Sequence, residues 1–298
     1  MDVSEGMNKP AELPAAESAR AHDSGTDLEA QVASVDLSLI VLNFNTHELA
    51  VACVRSIYEH LRRVTYEVIV VDNGSTDKSA EALAASLPTV NLVRSEWNRG
   101  FAGGNNLGAK VARGRYFAFL NSDTLLVDDS LASLVGFADE HPEIGILSPV
   151  LYLEDGKTIQ STAIAGFQTL LSVVTRRHTR HVIDLGREFQ YVDRVAGAAM
   201  VVRRRLFEEL GGFDEGIFMY LEDDDICKRA ADLGIRTAVY ARAGVIHLGG
   251  RSISMGSARK RIYERSQNYY WLKHHGLLPT LVMRCLRLPY RLVRERWG

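Results

Sequence analysis

Three short apolar runs that end on an asparagine or an aspartate constrain this chain more than any other feature. Leu37–Leu42 (LSLIVL) leads into Asn43, Tyr66–Asp72 (YEVIVVD) stops on a carboxylate, and Arg115–Asn121 (RYFAFLN) stops on an amide. Runs of this kind are strands buried on both faces. Helical patterns separate them. Thr46–Arg62 carries Leu49, Cys53, Ile57 and Leu61 on one stripe, Ser75 or Thr76 caps a helix to Leu87, and Asp128–Glu140 is a third helix. Val90–Ser95 and Ile144–Val150 read as further strands, and residues 96–108 as a Gly/Asn-rich loop with a short helix emerging near Asn105. This alternation predicts an α/β fold with a mostly parallel central sheet flanked by helices. Ligands of such sheets sit outside the carboxyl ends of the strands. Asn43 and Asn45, Asp72 and Asn73, and Asn121 and Asp123 all fall at those ends, so three strand ends mark one site. Residues 151–258 are less regular, with strands near Arg194–Val202, Thr237–Tyr240 and Val245–Leu248 around a helix from Glu222 to Leu233.

Charge and cysteine usage narrow the function classes. The chain of 298 residues has 35 basic and 37 acidic side chains, without the basic excess of a general nucleic-acid binder. Cys53, Cys227 and Cys285 lie far apart and form neither a disulfide framework nor a metal knuckle, which predicts a reducing cytoplasm. No apolar run approaches the ~18–20 residues of a membrane span, and the acidic N-terminus lacks the pattern of a signal peptide. The charge is unevenly distributed. Residues 1–36 carry a net −6, residues 37–258 a net −4, and residues 259–298 a net +8, from ten bases and two acids. We therefore expect a disordered leader at 1–35, a folded α/β domain at 36–258 with halves 36–150 and 151–258, and basic amphipathic helices at 259–298.

Several segments bear groups suited to chemistry. Val71–Asp77 (VDNGSTD) reads as strand, tight turn and helix cap, yet that leaves unexplained why the carboxylate of Asp72 should end a buried strand. Asp72 can instead accept hydrogen bonds from a pyrimidine or a ribose. Asn98–Gly108 (NRGFAGGNNLG) is a glycine-rich loop running into a helix; it permits close backbone approach, and a flexible linker is the competing reading. Asp123 is a hard oxygen donor at a sheet edge, suited to Mg²⁺ or Mn²⁺, whereas Asp128 or Asp129 better fills the role of helix cap. Glu222-Asp223-Asp224-Asp225 opens a helix whose apolar stripe is Ile226, Ala230 and Leu233. That spacing turns Asp223 inward as a general base and leaves Asp225 to a surface pair with Arg229. His247 ends an apolar strand ahead of Gly249-Gly250-Arg251, a turn suited to an anionic ligand.

Together these residues resemble an inverting family 2 glycosyltransferase of the GT-A fold, in the branch that includes bacterial rhamnosyltransferases. The resemblance covers about residues 37–275. It rests on Asn43-Phe44-Asn45, Val71–Asp77, Asn98–Gly108, Asn121-Ser122-Asp123, Gly197–Met200, Gly211–Glu215, Phe218–Asp225 and His247, in the family's order. It implies that Asp72 and the Asn43 region hold a nucleoside and that the loop of Asn98, Gly100 and Asn105 closes over it. It further implies that Asp123, with His247, binds a Mg²⁺ or Mn²⁺ ion, and that Asp223 deprotonates an acceptor hydroxyl. Asn45, Asn73, Asn121, Gly197, Glu222 and Arg251 complete the expected donor site. Asn121 stands where the family's DxD motif has its first Asp, which removes one charge from the metal shell.

The implied activity is transfer of a sugar, L-rhamnose from a dTDP donor, to a cell-envelope glycan or polyprenyl-linked acceptor. Other UDP or dTDP sugars, and a silent sugar-nucleotide-binding scaffold, are the alternatives. A nucleotidyltransferase would need a Gly- and Arg/Lys-bearing triphosphate loop after the first strand, and Asn43–Glu48 contains neither. The tail Leu277–Arg296 interleaves five arginines with Leu, Val, Met and Tyr. Pro279 and Pro289 are expected to break it into pieces that attach peripherally to the inner face of the plasma membrane, and Phe167–Arg180 is a second basic-apolar stretch.

Overall fold

The computed structural model describes residues 35–175, 182–249 and 256–297. The expected leader, the end of the Phe167–Arg180 stretch, and Arg251 lie outside the described residues. In chain order the elements are β1 (Leu37–Asn43), α1 (His47–His60), β2 (Tyr66–Asp72), α2 (Ser79–Ser86), β3 (Asn91–Arg94), α3 (Gly100–Ala109), β4 (Tyr116–Asn121), β5 (Thr124–Leu125), α4 (Ser130–Glu140), β6 (Ile144–Tyr152), β7 (Ile164–Ala165), α5 (Leu170–Thr175), β8 (Phe189–Val192), β9 (Arg194–Val195), β10 (Ala199–Arg203), α6 (Arg204–Glu209), α7 (Glu222–Asp232), β11 (Arg236–His247), α8 (Gly256–His275) and α9 (Leu277–Trp297).

Among the described residues one nine-stranded sheet runs β3-β2-β1-β4-β10-β6-β11-β5, with β8 also paired to β11. The first four strands are parallel, in unbroken register from Leu37↔Tyr66 to Asn43↔Asp72. Alternation then sorts the side chains of β1 to the two faces. Leu39 and Val41 pack with Cys53, Ile57 and Leu134, while Ile40 packs with Phe117, Phe119 and Ile226 on the other side.

Beyond β4 the sheet becomes mixed. β10 inserts antiparallel between β4 and β6, and β11 returns parallel to β6. Because β10 is antiparallel, its first residue, Ala199, lies beside Leu120 at the end of β4. The chain after β4 turns back as β5 and pairs antiparallel with the end of β11, Thr124 against His247. These two reversals bring Gly197 and His247 to the edge where β1, β2 and β4 end. The two strands expected at 237–240 and 245–248 are one, β11, interrupted by a register shift between Tyr240 and Gly244.

Three local expectations need correction. The segment read as a glycine-rich loop is helical from Gly100, because its glycines are packing residues. A Cβ on Gly104 would come within 2.5 Å of Leu42 Cδ1, and one on Gly108 within 2.6 Å of Ile40 Cγ2, so α3 lies directly on β1. α2 starts at Ser79 and is not capped by Ser75 or Thr76; the Ser75 hydroxyl is drawn to Asp72 instead. The prolines do not break α9. Pro279 occupies its first turn, where the missing N–H has no helical partner to lose, and the helix continues through Pro289. α8 and α9 meet at Gly276, φ +83°, and pack through Tyr270, Trp271 and Met283 against Val173 and Leu221. No helix among the described residues is long and apolar enough to cross a membrane.

Candidate active site

At the carboxyl ends of β1 and β2 the polar residues first bind one another. Asn43 Nδ2 donates to Asp72 Oδ1 (3.0 Å) and to Ser75 Oγ (3.2 Å), and Ser75 Oγ donates to Asp72 Oδ1. Asn45, at φ +56°, is tied to Thr76 by both atoms of its side-chain amide. Asn43 and Asp72 are buried, so they form a frame that fixes the β1 and β2 loops. Asn73 extends this frame to the next segment. Its Nδ2 donates to Gly100 O (2.9 Å) and Asn98 Oδ1 (3.2 Å), and its Oδ1 accepts from Arg99 N. Gly100 has φ +72°, and a Cβ there would sit 2.0 Å from Phe218 O, a position only glycine can fill. Asn105 lies buried inside α3, where its Nδ2 donates to Phe101 O and its Oδ1 has no partner.

This frame borders a cavity of about 350 Å³. Of the residues expected from sequence, Asn73, Asn98, Gly100, Asn121, Gly197, Glu222, Asp223 and His247 line it. Asn43, Asn45, Asp72 and Asn105 stand behind that lining, and Asp123 lies beneath it, 1% exposed. Neither carboxylate oxygen of Asp123 has a hydrogen-bond partner, although Oδ1 is 3.3 Å from His247 Nε2. His247 Nδ1 is 2.8 Å from Gln160 Oε1, an atom that can only accept, so the ring proton belongs on Nδ1. In the neutral ring Nε2 then carries a lone pair facing Asp123 Oδ1 and, at 3.3 Å, Asn121 Nδ2. A buried carboxylate with bare oxygens beside an imidazole lone pair is a donor set that a divalent cation fits. Asp129 is the N-cap residue of α4 but makes no side-chain cap bond, and Asp128 instead accepts from Ser130 N in the first turn.

On the opposite element, α7, the four acids have separate surroundings. Tyr220 (φ +68°) and Leu221 (φ +74°) enter the helix in consecutive left-handed conformations, a strain characteristic of functional segments. Asp223 is the half-exposed member of the group; its Oδ2 accepts from Gly197 N (3.1 Å) and its Oδ1 from Asp224 N. A Cβ on Gly197 would press on the Phe101 ring at 2.9 Å, so this donor too depends on glycine. The expected facing is corrected here: Glu222, Asp224 and Asp225 are the buried acids, and Asp223 is not. Asp224 pairs with Arg194 (3.3 Å), and burial together with the charge of Asp223 pushes its carboxyl up to about 7 despite Arg194. Asp225 does bind Arg229, but in the interior rather than at the surface. Burial alone would raise its pKa; the hydrogen bond from His274 and the charges of Arg229 and Lys273 bring it down to about 2. Glu222 is buried with Oε2 unpartnered, and burial beside Asp223 holds its carboxyl well above the usual range.

A profile of the family described as "Glycosyl transferase family 2" matches residues 38–211, more than half of the chain. The chain belongs to glycosyltransferase family 2. It is 28% identical over 254 residues to the O-antigen biosynthesis protein RfbC of Myxococcus xanthus, covering 82% of this chain but only 19% of that longer protein. It is 26% identical over 240 residues to the N-acetylglucosaminyl-diphospho-decaprenol L-rhamnosyltransferase of Mycobacterium tuberculosis, covering 70% of this chain and 76% of the relative. Among solved structures it is similar to the mannosyltransferase PcManGT from Pyrobaculum calidifontis in complex with GDP-Man and Mn²⁺. The TM-score is 0.57 at 21% identity, over 80% of this chain and 63% of that one. The fold is GT-A.

Gln160 and Arg194 are among the polar residues of this family 2 site that escape a reading by motif. Both line the cavity, yet one follows β6 in a loop and the other sits in the two-residue strand β9. Only their partners, His247 and Asp224, betray them, and sequence spacing contains no trace of either pairing.

Proposed function

We propose that the chain is an inverting glycosyltransferase that moves a sugar, L-rhamnose from dTDP-rhamnose, onto a cell-envelope glycan or polyprenyl-linked acceptor. The observation that carries this reading is the cavity itself. A partly exposed carboxylate, Asp223, and His247, backed by the buried Asp123, border one space that Asn73, Asn98 and Asn121 also line. In the proposed reaction Asp223 takes the proton of the acceptor hydroxyl as the acceptor oxygen bonds to the anomeric carbon. The bond from that carbon to the diphosphate oxygen breaks on the opposite face, and the nucleoside diphosphate leaves with the electron pair. The Gly197 N–H holds Asp223 in place for this step, and Asn73 and Asn98 hold the α3 loop against the donor. Asp123 and His247 would hold a Mg²⁺ or Mn²⁺ ion, with water and the diphosphate as further ligands. Such an ion, when bound, supplies positive charge to the leaving group.

The name of the Mycobacterium relative supports both the sugar and a lipid-linked acceptor. Under this reading the enzyme works at the cytoplasmic face of the plasma membrane as a peripheral protein. A silent sugar-nucleotide-binding scaffold would use the Asp123 and His247 pair to hold its ligand but would have no use for Asp223, a carboxylate held at the cavity by the Gly197 amide.

Melting the protein with a panel of nucleotide sugars, in Mg²⁺ or Mn²⁺ and again in EDTA, tests the proposal. A ligand at a hundredfold excess over its Kd adds about 2.7 kcal/mol, a rise of several degrees for a chain of this size. The dTDP-sugar should give the largest rise, and only with metal. A flat response to every nucleotide sugar would overturn the assignment.

A further inference from the structure

The two faces of α9 have opposite characters. Thr280 and Met283 are buried, and Arg287 donates to Gln267 Oε1 (2.7 Å) and Asn268 Oδ1 (2.6 Å), which seats that face on α8. Leu277, Leu278, Leu281, Val282 and Leu286 are 65%, 72%, 44%, 39% and 46% exposed. Cys285, also exposed, falls on the same stripe. At about 100° per residue these six positions cover about half of the helix circumference, roughly opposite Met283. Large apolar side chains gathered on one helical face, rather than scattered singly, mark an interaction surface.

We infer that this stripe is a docking surface for an anionic lipid bilayer; the inference rests on the reading that the acceptor is lipid-linked. Charge selects the occupant. Residues 259–298 carry a net +8, and Arg261, Arg265 and Arg284 are exposed on the hairpin. A second copy seated on the stripe would bring two such segments together, whereas anionic headgroups neutralise them. A basic helix with one apolar face lies in the plane of the interface rather than across it.

The hairpin is also fixed relative to the cavity. Lys273 and His274, in the last turn of α8, both reach Asp225 Oδ1 at 2.7 Å, and Asp225 belongs to the helix that carries Asp223. A bilayer gripping α9 would therefore set the attitude of the cavity wall toward a lipid-linked acceptor.

The native cysteines provide the test, because Cys53 and Cys227 are buried and Cys285 is exposed. The full chain is labelled at Cys285 with an environment-sensitive nitrobenzoxadiazole and mixed with phosphatidylglycerol vesicles. The emission should rise several-fold and shift to the blue. Phosphatidylcholine vesicles should give a weaker response, and 1 M salt should weaken the response to phosphatidylglycerol, as screening shortens to ~3 Å. A Leu278→Asp, Leu281→Asp double variant, whose retained fold is checked by its melting curve, should lose the response. Unchanged emission with phosphatidylglycerol would overturn the proposal. So would concentration-dependent dimers in vesicle-free buffer that hide the label. No nucleotide sugar is present, so this result is independent of the one that tests sugar transfer.

Discussion

The acids at the strand ends and the acids that open α7 border the same edge of the sheet, but their side chains are sorted by different rules. Asp72 closes β2, whose alternation leaves its side chain one direction to take, and Asp123 sits in the tight turn between β4 and β5. One reaches the Asn43 and Ser75 frame, and the other comes to lie beside His247. Asp223, Asp224 and Asp225 are consecutive in a helix, each about 100° from the next. They face three environments: the Gly197 amide at the cavity, the Arg194 guanidinium, and the cluster of Arg229, Lys273 and His274. Strand ends thus locate a site, while a helical first turn divides adjacent residues of identical chemistry between the cavity and the interior.

The largest expected effect falls on the carboxylate at the cavity. Asp223→Asn should lower kcat by roughly 10²–10⁴-fold and leave the Kd for the nucleotide donor nearly unchanged, since a base acts on the acceptor. Steady-state kinetics with a donor titration would check both numbers. If Asp224→Asn lost more turnover than Asp223→Asn at equal folded fraction, the division of duty along α7 would be wrong.

Next in size is the stability held by Asp225. Removing one partner of a buried ion pair costs about 3–5 kcal/mol, and here a single carboxylate serves two cations, Arg229 and Lys273, and the His274 imidazole, so Asp225→Asn should fall at the upper part of that range. Urea midpoints across pH would then separate the two neighbours. Asp225 titrates near 2 in the folded chain, below an ordinary carboxylate. Its stabilisation is therefore complete above about pH 4 and is lost as pH falls toward 2. Asp224, raised to about 7, has the opposite sign: its contribution is complete below about pH 4 and is lost as pH rises through 7. Asp225→Asn should flatten the acid limb of the stability curve, and Asp224→Asn the limb between pH 4 and 7. Identical curves for the two variants would erase the distinction.

Sequence is most legible where the physics is local. β1, β2 and β4 can be read from apolar runs because strands buried on both faces leave no other composition, and Asn43, Asp72 and Asn121 mark their ends. α3 reads as a loop because its glycines signal one until the closeness of Leu42 and Ile40 is known, and that closeness belongs to the tertiary structure. The facing of α7 is hidden for a related reason. Helical spacing identifies the apolar stripe, but α8 covers a second side of the helix, through Lys273 and His274, far along the chain from Asp225. The mixed half of the sheet is similarly hidden, since nothing in Ala199–Arg203 says that it will run antiparallel between β4 and β6.

The smallest effect comes from a residue that touches the strand-end acids only through another. Gln160 Oε1 accepts from His247 Nδ1 and so keeps the Nε2 lone pair turned toward Asp123. Its own Nε2 donates to Thr162 Oγ1 at 3.2 Å. Gln160→Leu removes the acceptor while roughly preserving volume, and the imidazole is then free to place its proton on either nitrogen. Partners of this kind are worth about 10–100-fold in metal affinity, so Mn²⁺ titrated in the presence of a nucleoside diphosphate should bind weaker by that factor. Gln160→Glu, which keeps an acceptor at the same atom, should recover most of the loss. A residue that merely supported the loop would lower the melting temperature in both variants and leave Mn²⁺ affinity unmoved. An unchanged Mn²⁺ titration for a fully folded Gln160→Leu chain would therefore detach His247 from any role in holding a cation, and the strand-end acids would lose their partner on β11.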